Sequence, residues 1–384
     1  MPRTLSPTER LDWLQLCRSD GIGPRTFSKL LRRFGSARRA YEELPRLAAE
    51  MGSSDRLRRC RREDAEAELE AIEQLGARLI ALGEPAYPER LAQIADPPPV
   101  FTVHGDPDLL HRPGVAVVGA RNASGNGRML AGSLARELAE AGLVVVSGLA
   151  RGIDTAAHEG ALSSGTTVAV IASGIDVPYP PENALLMERI AASGAVVSER
   201  PPGSVPQARH FPKRNRLIAG LSLGVVVVEA APQSGSLITA RLAAEQGREV
   251  MAVPGSPLDP RHRGTNQLLR DGAVLVETAE DIRTALGPLA AQAVRSERRR
   301  VRCPPPDPEP GNGAVSPADR PTSSDRDDLL LRVCGRLGPE PLLVDELIRQ
   351  CDATTSEVQR ALLELELEGR IERHPGNRVS LAPA

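Results

Sequence analysis

The stretch Arg209 to Arg216, "RHFPKRNR", sets four cations and a histidine around Phe211, one of only four phenylalanines in the chain, and no acidic residue occurs between Pro201 and Val228. A ring among guanidinium and ammonium groups either lips a site for an anionic ligand or is a packing accident. Other short stretches carry compatible chemistry. Gly119-Ala-Arg121-Asn122 departs from the G-x-G-x-x-G fingerprint because Arg121 occupies the second glycine position, where a dinucleotide pyrophosphate needs bare backbone. An arginine there instead suggests direct capture of a phosphate by a charged fork. Ser147-Gly148-Leu-Ala-Arg151 brings a second cation, Gly174 closes "ASG", Ser234-Gly235-Ser236 offers hydroxyls and amides at a helix start, and Arg263-Gly-Thr265-Asn266 meets another helix start.

Each of these stretches, taken alone, reads as an ordinary turn or cap. They gain meaning from the elements that position them. From 114 to 287 short β-branched runs alternate with amphipathic helices: strands are expected at Val115–Val118, Val144–Ser147, Thr167–Ala172, Ala195–Ser198, Val225–Glu229, Glu249–Val253 and Val274–Val276. That grammar predicts an α/β, Rossmann-like doubly wound domain with a mostly parallel sheet. Ligands of such sheets gather beyond the carboxyl ends of the strands. Arg121, Arg151, Arg209, Lys213, Arg214, Arg216 and Arg263 then fall at one edge, with Asn215 among them, and repetition at one edge outweighs the bland reading of each loop.

Four segments are expected: a helical domain over 1–80, the Rossmann-like domain over 81–287, a Pro-rich linker over 288–324 and a winged helix over 325–384. Residues 1 to about 110 read as helical from the three- and four-residue spacing in "TERLDWLQL", "RTFSKLLRRFG" and "REDAEAELEAIEQLG". "SDGIGPRT" between the first two is a hairpin that either offers amides to a phosphate or is simply a tight turn, and the tight turn is preferred. In the last segment, Thr354 and Thr355 are N-cap candidates and "RIERHPGNRVSL" is a hairpin. The preceding helix, "SEVQRALLELELEGR", holds more Glu than Arg, so it would repel phosphate, and a protein-contact or regulatory role suits it better than a duplex groove.

Composition sets limits. With 48 Lys+Arg against 50 Asp+Glu the net charge is -2, so the chain is not basic overall and any polyanion site is local. All the basic residues but Lys29 and Lys213 are arginine, which weakens arginine abundance as evidence of phosphate recognition. The five cysteines show no metal-ligand spacing and read as reduced thiols. No signal-peptide core or membrane-length apolar run occurs, so a cytoplasmic protein is expected. Nothing pairs a nucleophile with a base: Asp154 reads as a helix cap and His158 as its i, i+4 partner. Walker A is absent, so no nucleotide consumption, cofactor or metal is expected.

The motifs "GARNASGNG", "SGLARGIDTAAHEGAL", "TVAVIASGIDVPYPPEN", "SERPPG", "FPKRNRLIAGLS", "VVVVEAAPQSGSLITARLAAEQGREVMAVPG" and "GTNQLLRDGA", in this order, resemble the DNA-processing DprA (Smf) family. The resemblance spans about 80 to 287 and continues into SAM-like or helix-hairpin-helix and winged-helix additions. It implies a non-enzymatic recombination mediator that binds and protects single-stranded DNA during natural transformation, loads RecA on it and forms a homodimer. It further implies that Arg121 and the cations of "RHFPKRNR" contact phosphates while Phe211 stacks on a base, since single strands are held by cationic grooves with aromatic platforms. Two other readings stay open. A phosphoribohydrolase-like enzyme would need a Pro-Gly-Gly-x-Gly-Thr loop where this chain has "APQSGSLIT", and a duplex-DNA regulator would act through the winged helix.

Overall fold

The computed structural model describes residues 4–50, 58–287 and, in the C-terminal region, 332–333, 335–338, 342–351, 358, 361–362, 365, 371–374 and 378–381. The chain divides into two compact units, Met1–Pro304 and Pro305–Ala384. The expected linker over 288–324 lies outside the described residues, as do Thr354 and Thr355.

Four helices open the first unit: α1 (Pro7–Arg18), α2 (Pro24–Phe34), α3 (Ala37–Glu50) and α4 (Arg62–Gln74). α1 starts at a capping box, Ser6 Oγ accepting from Glu9 N at 3.2 Å and Glu9 Oε2 from Ser6 N at 2.9 Å. α2 ends at Gly35, whose φ of 77° takes the left-handed turn that stops a helix. Trp13 and Phe27 meet at 4.9 Å in the core of this bundle.

The sheet contains β1 (Arg78–Ala81), β2 (Val100–Gly105), β3 (Gly114–Val118), β4 (Val144–Ser147), β5 (Thr167–Ile171), β6 (Ala195–Ser198), β7 (Gly224–Val227), β8 (Glu249–Ala252) and β9 (Val274–Leu275). The order is β1-β2-β6-β5-β4-β3-β7-β8-β9, parallel from β6 to β9. The seven expected strands all form, within two residues of their expected ends. The helical reading of the first 110 residues is wrong at 78–81 and 100–105: β1 and β2 add two antiparallel strands to the sheet edge. These are short runs, "RLIA" and "VFTVHG", bounded by Gly and Pro. Leu79, Ile80 and Ala81 in turn are buried, so no alternation marks the first as a strand.

Between the strands lie α5 (Glu89–Ala92), α6 (Gly125–Glu140), α7 (Ile153–Leu162), α8 (Ala184–Ser193), α9 (His210–Leu221), α10 (Gly235–Glu245) and α11 (Arg263–Arg270). Alternate residues of each strand feed two cores. Val118, Val146, Val170 and Val227 pack with Leu217, Ile218 and Ala240 of α9 and α10, whereas Val117, Val145 and Val226 pack with Leu134, Leu138 and Ala157 of α6 and α7. The sheet is therefore doubly wound, and its strand order reverses at β3, which lies between β4 and β7.

In the second unit β10 (Leu342–Leu343), β11 (Ile371–His374) and β12 (Arg378–Leu381) form a three-stranded sheet beside a helix over Val344–Gln350. Val358, Ala361, Leu362 and Leu365 are buried at helical spacing, consistent with the expected winged helix.

Candidate functional site

The segments that follow β3, β4 and β7 converge with α9 where the strand order reverses. They enclose a cleft of about 610 Å³ lined by, among others, Arg121, Asn122, Phe211, Arg214, Ser234 and Arg261. Phe211 is half-buried at its lip. The Arg121 guanidinium carbon sits 4.9 Å from the ring centroid, that of Arg214 6.0 Å away, and the ring of Tyr179 5.7 Å away. Two cations within reach of one ring are mutually repelling charges that the ring's negative face partly offsets.

"RHFPKRNR" is not a loop. Apart from Arg209 it is the beginning of α9, and Pro212 is tolerated there because the first turn has no carbonyl to meet its missing N–H. Helical spacing then divides its residues. Phe211, Asn215 and Ile218 line the cleft, His210, Lys213, Arg216 and Leu217 face the other side, toward the α1–α2 turn, and Arg214 reaches both.

Arg214 is buried, donates from Nη1 to the Val170 carbonyl at 2.9 Å, and leaves its Nε buried without a partner. Burial lowers its pKa to about 10, against the attraction of Asp154. Room for the guanidinium comes from Gly148, where a Cβ would stand 1.7 Å from Nη1. Asp154 accepts from the amides of Gly148 (3.1 Å) and Ala150 (3.3 Å), so it fastens the preceding loop and does not cap its own helix. Burial raises its pKa and Arg214 opposes that. The same loop holds Leu149 at φ 58° and Gly152 at φ 79°. Leu149 keeps this costly conformation under a hydrogen bond from Asn183 Nδ2 to its carbonyl at 2.9 Å.

His158 does not pair with Asp154. Its Nδ1 meets Thr167 Oγ1 at 2.8 Å, and burial followed by the charge of Arg214 pushes its pKa down to about 3. It is a neutral core histidine.

The remaining expected residues divide between the cleft and the scaffold. Gly119, Ser234, Gly235 and Ser236 line the cleft, and Asn215 Nδ2 holds the Gly235 carbonyl at 3.2 Å. Ser147 is buried, its hydroxyl donating to the Val117 carbonyl at 2.6 Å, which ties β4 to β3. Gly174 is buried and donates to the Ser204 carbonyl at 2.8 Å. Arg151 is exposed and paired with Glu182. Arg209 and Lys213 are exposed and outside the cleft. Arg263 is exposed at the start of α11, and Arg261 lines the cleft in its place, held by Asp259 at 2.7 Å. Thr265 donates to the His262 carbonyl at 3.1 Å and Asn266 Nδ2 to the Gly255 carbonyl at 2.8 Å, both as scaffold bonds. Arg216 is the largest departure: 6% exposed, it donates to both oxygens of Glu199 at 2.6 Å and to the Asp96 carbonyl at 2.7 Å.

Three groups escaped the sequence reading, Arg261 among them. Tyr179, 41% exposed, is a rare aromatic between prolines in "VPYPP", a signal that could have marked it. Glu229, buried beneath the cleft, accepts from Ser124 N at 2.9 Å and Ser124 Oγ at 2.5 Å and fixes the start of α6; only the tertiary structure shows it.

Fold and cleft together define a Rossmann-like protein with an arginine-rich, aromatic-lipped site at its switch point, preceded in sequence by a helical domain and followed by a winged-helix domain. Family models agree: DNA recombination-mediator protein A matches residues 78–287, the DprA-like N-terminal HHH domain 7–71 and the DprA winged helix domain 316–377. Protein Smf of Synechocystis is 32% identical over 97% of this chain and 99% of its own. The X-ray structure of DNA processing protein A from Streptococcus pneumoniae superposes with a TM-score of 0.63 at 35% identity, over 73% of this chain and 98% of that one. The Helicobacter pylori DNA processing protein A, a structure concerned with its single-stranded DNA binding mode, gives a TM-score of 0.50 at 32% identity over 55% and 95%. The chain belongs to the DNA processing protein A (DprA, Smf) family.

Proposed function

We propose that the switch-point cleft binds single-stranded DNA without chemical turnover, with Phe211 as the base platform and Arg121 and Arg261 as phosphate contacts. The observation that carries this is the Phe211 ring, half-buried at the lip and 4.9 Å from the Arg121 guanidinium. A ring beside a cation is where a base can stack while its phosphate is neutralised. Tyr179, 5.7 Å from Phe211, extends the platform. Arg214 completes the wall from behind, and Ser234 and Ser236 offer hydroxyls to the strand. The binding mode named for the Helicobacter pylori relative supports the ligand class.

The non-catalytic reading is supported by the engagement of the acids near the cleft: Asp154 and Glu229 are buried and bonded to backbone or hydroxyl donors. Protection of incoming DNA, RecA loading and a homodimer complete the proposal by family resemblance, together with a cytoplasmic location. Among the described residues no helix is long and apolar enough to cross a membrane. The test is a binding titration of one sequence as single strand and as duplex at fixed salt, since salt sets the affinity of any phosphate contact. Preference for the single strand is expected; equal affinity would refute the aromatic platform.

A further inference from the structure

Across α9 from the cleft lies a second cavity of about 230 Å³, bounded by the α1–α2 turn at Ile22, Gly23 and Pro24 and by the segment that follows β6. Five cations line it, Arg18, Arg200, Lys213, Arg214 and Arg216, against two carboxylates, Asp96 and Glu199. Some of that charge is matched. Arg18 donates to Glu68 at 2.7 Å and Arg216 to Glu199 at 2.6 Å. Arg200 and Lys213 make no ion pair among the described residues, and Arg200 Nε is buried with no hydrogen-bond partner.

Two helices also begin at this cavity. Neither Gly23 before α2 nor Arg209 before α9 supplies a side-chain cap, so the positive ends of both helix dipoles add to the potential. Burial followed by the charge of Arg18 lowers the pKa of Arg200, with Glu199 opposing it, and burial followed by Arg200 and Arg209 lowers that of His210, as expected where cations crowd together.

We propose that this cavity is a second phosphate site, in which Arg200 and Lys213 hold a phosphate group between the helical domain and α9. A phosphate suits it because a tetrahedral anion accepts from several directions, and the donors here come from two segments, the one that follows β6 and the start of α9. The group comes from a strand that continues past the first cleft or from a free phosphate compound. Only that choice of source rests on the single-strand reading above.

The test uses the full chain with inorganic pyrophosphate as probe, by isothermal titration calorimetry, in parent and Arg200→Ala/Lys213→Ala protein checked for folding by circular dichroism. Pyrophosphate should bind the parent, and the double variant should lose at least tenfold in affinity. The Lys213 side chain is exposed and makes no hydrogen bond among the described residues, so Lys213→Glu repeats the test if the double variant fails to fold. The salt dependence of oligo-dT binding then separates the sources. A strand phosphate predicts a slope smaller by about 0.7 for each contact removed, whereas a free phosphate compound leaves the slope unchanged. Pyrophosphate that does not bind the parent, or binds parent and variants equally, overturns the site whatever the fate of the first cleft.

Discussion

The two sides of α9 are built from the same eight-residue stretch and differ in what neutralises its cations. On the cleft side the charge faces aromatic rings: Arg121 and Arg214 lie 4.9 and 6.0 Å from Phe211, and the carboxylates of Asp154 and Glu229 are buried and occupied by amides and a hydroxyl. On the far side Arg216 is enclosed by Glu199 and the Asp96 carbonyl. A ring leaves a cation open to a ligand, whereas burial beneath a bidentate carboxylate turns Arg216 into scaffold; Arg261, also held by a carboxylate, keeps 41% of its side chain exposed at the cleft. Proximity in sequence to a functional residue is therefore poor evidence of function on a helix, where neighbours point to different sides.

The largest effect should come from the scaffold side. Arg216→Ala leaves Glu199 partly buried and unmatched, and should lower stability by about 3 kcal/mol. Urea unfolding followed by the single tryptophan, Trp13, in the core of the helical bundle would measure it. Its slope of oligo-dT affinity against salt should stay at the parent value. A stable variant with a reduced slope would make Arg216 a ligand contact and dissolve the contrast.

On the cleft side, Phe211→Ala should cost about 1–3 kcal/mol of single-strand affinity, the worth of one stacked base, with the salt slope unchanged. Arg121→Ala should do the converse, lowering the slope by about 0.7. Fluorescent oligo-dT titrated at several salt concentrations separates the two signatures.

The sequence made the seven parallel strands and the edge where the cleft opens legible, because β-branched runs between amphipathic helices leave few topologies and the edge follows from them. It misled where distance matters. The partners of Arg216 lie 120 and 17 residues away, beyond any local pattern, and Pro212 disguised the start of α9 as a loop. β1 and β2 were hidden by runs with no alternation. Tyr179 was visible as a ring between prolines, yet only the fold places it beside Phe211.

An effect confined to acid pH tests the core behind the cleft. The folded protein holds His158 neutral down to about 3, while the unfolded chain protonates it near its ordinary 6.5. The unfolded state thus binds the extra proton between those values, and stability falls as pH drops through that window, by up to about 1.4 kcal/mol per pH unit. His158→Gln should flatten that limb of the stability profile. An unchanged acid limb would mean that His158 does not control it.

The central claim is that a strand's bases meet Phe211 and Tyr179 at the switch point. Photo-crosslinking with a single strand carrying 5-iododeoxyuridine, followed by peptide mapping by mass spectrometry, tests it at residue level. Adducts are expected on Phe211 or Tyr179 and should disappear from peptides of Phe211→Ala, Tyr179→Ala protein. Adducts confined to the winged helix, with none in the segments around Tyr179 and Phe211, would contradict it.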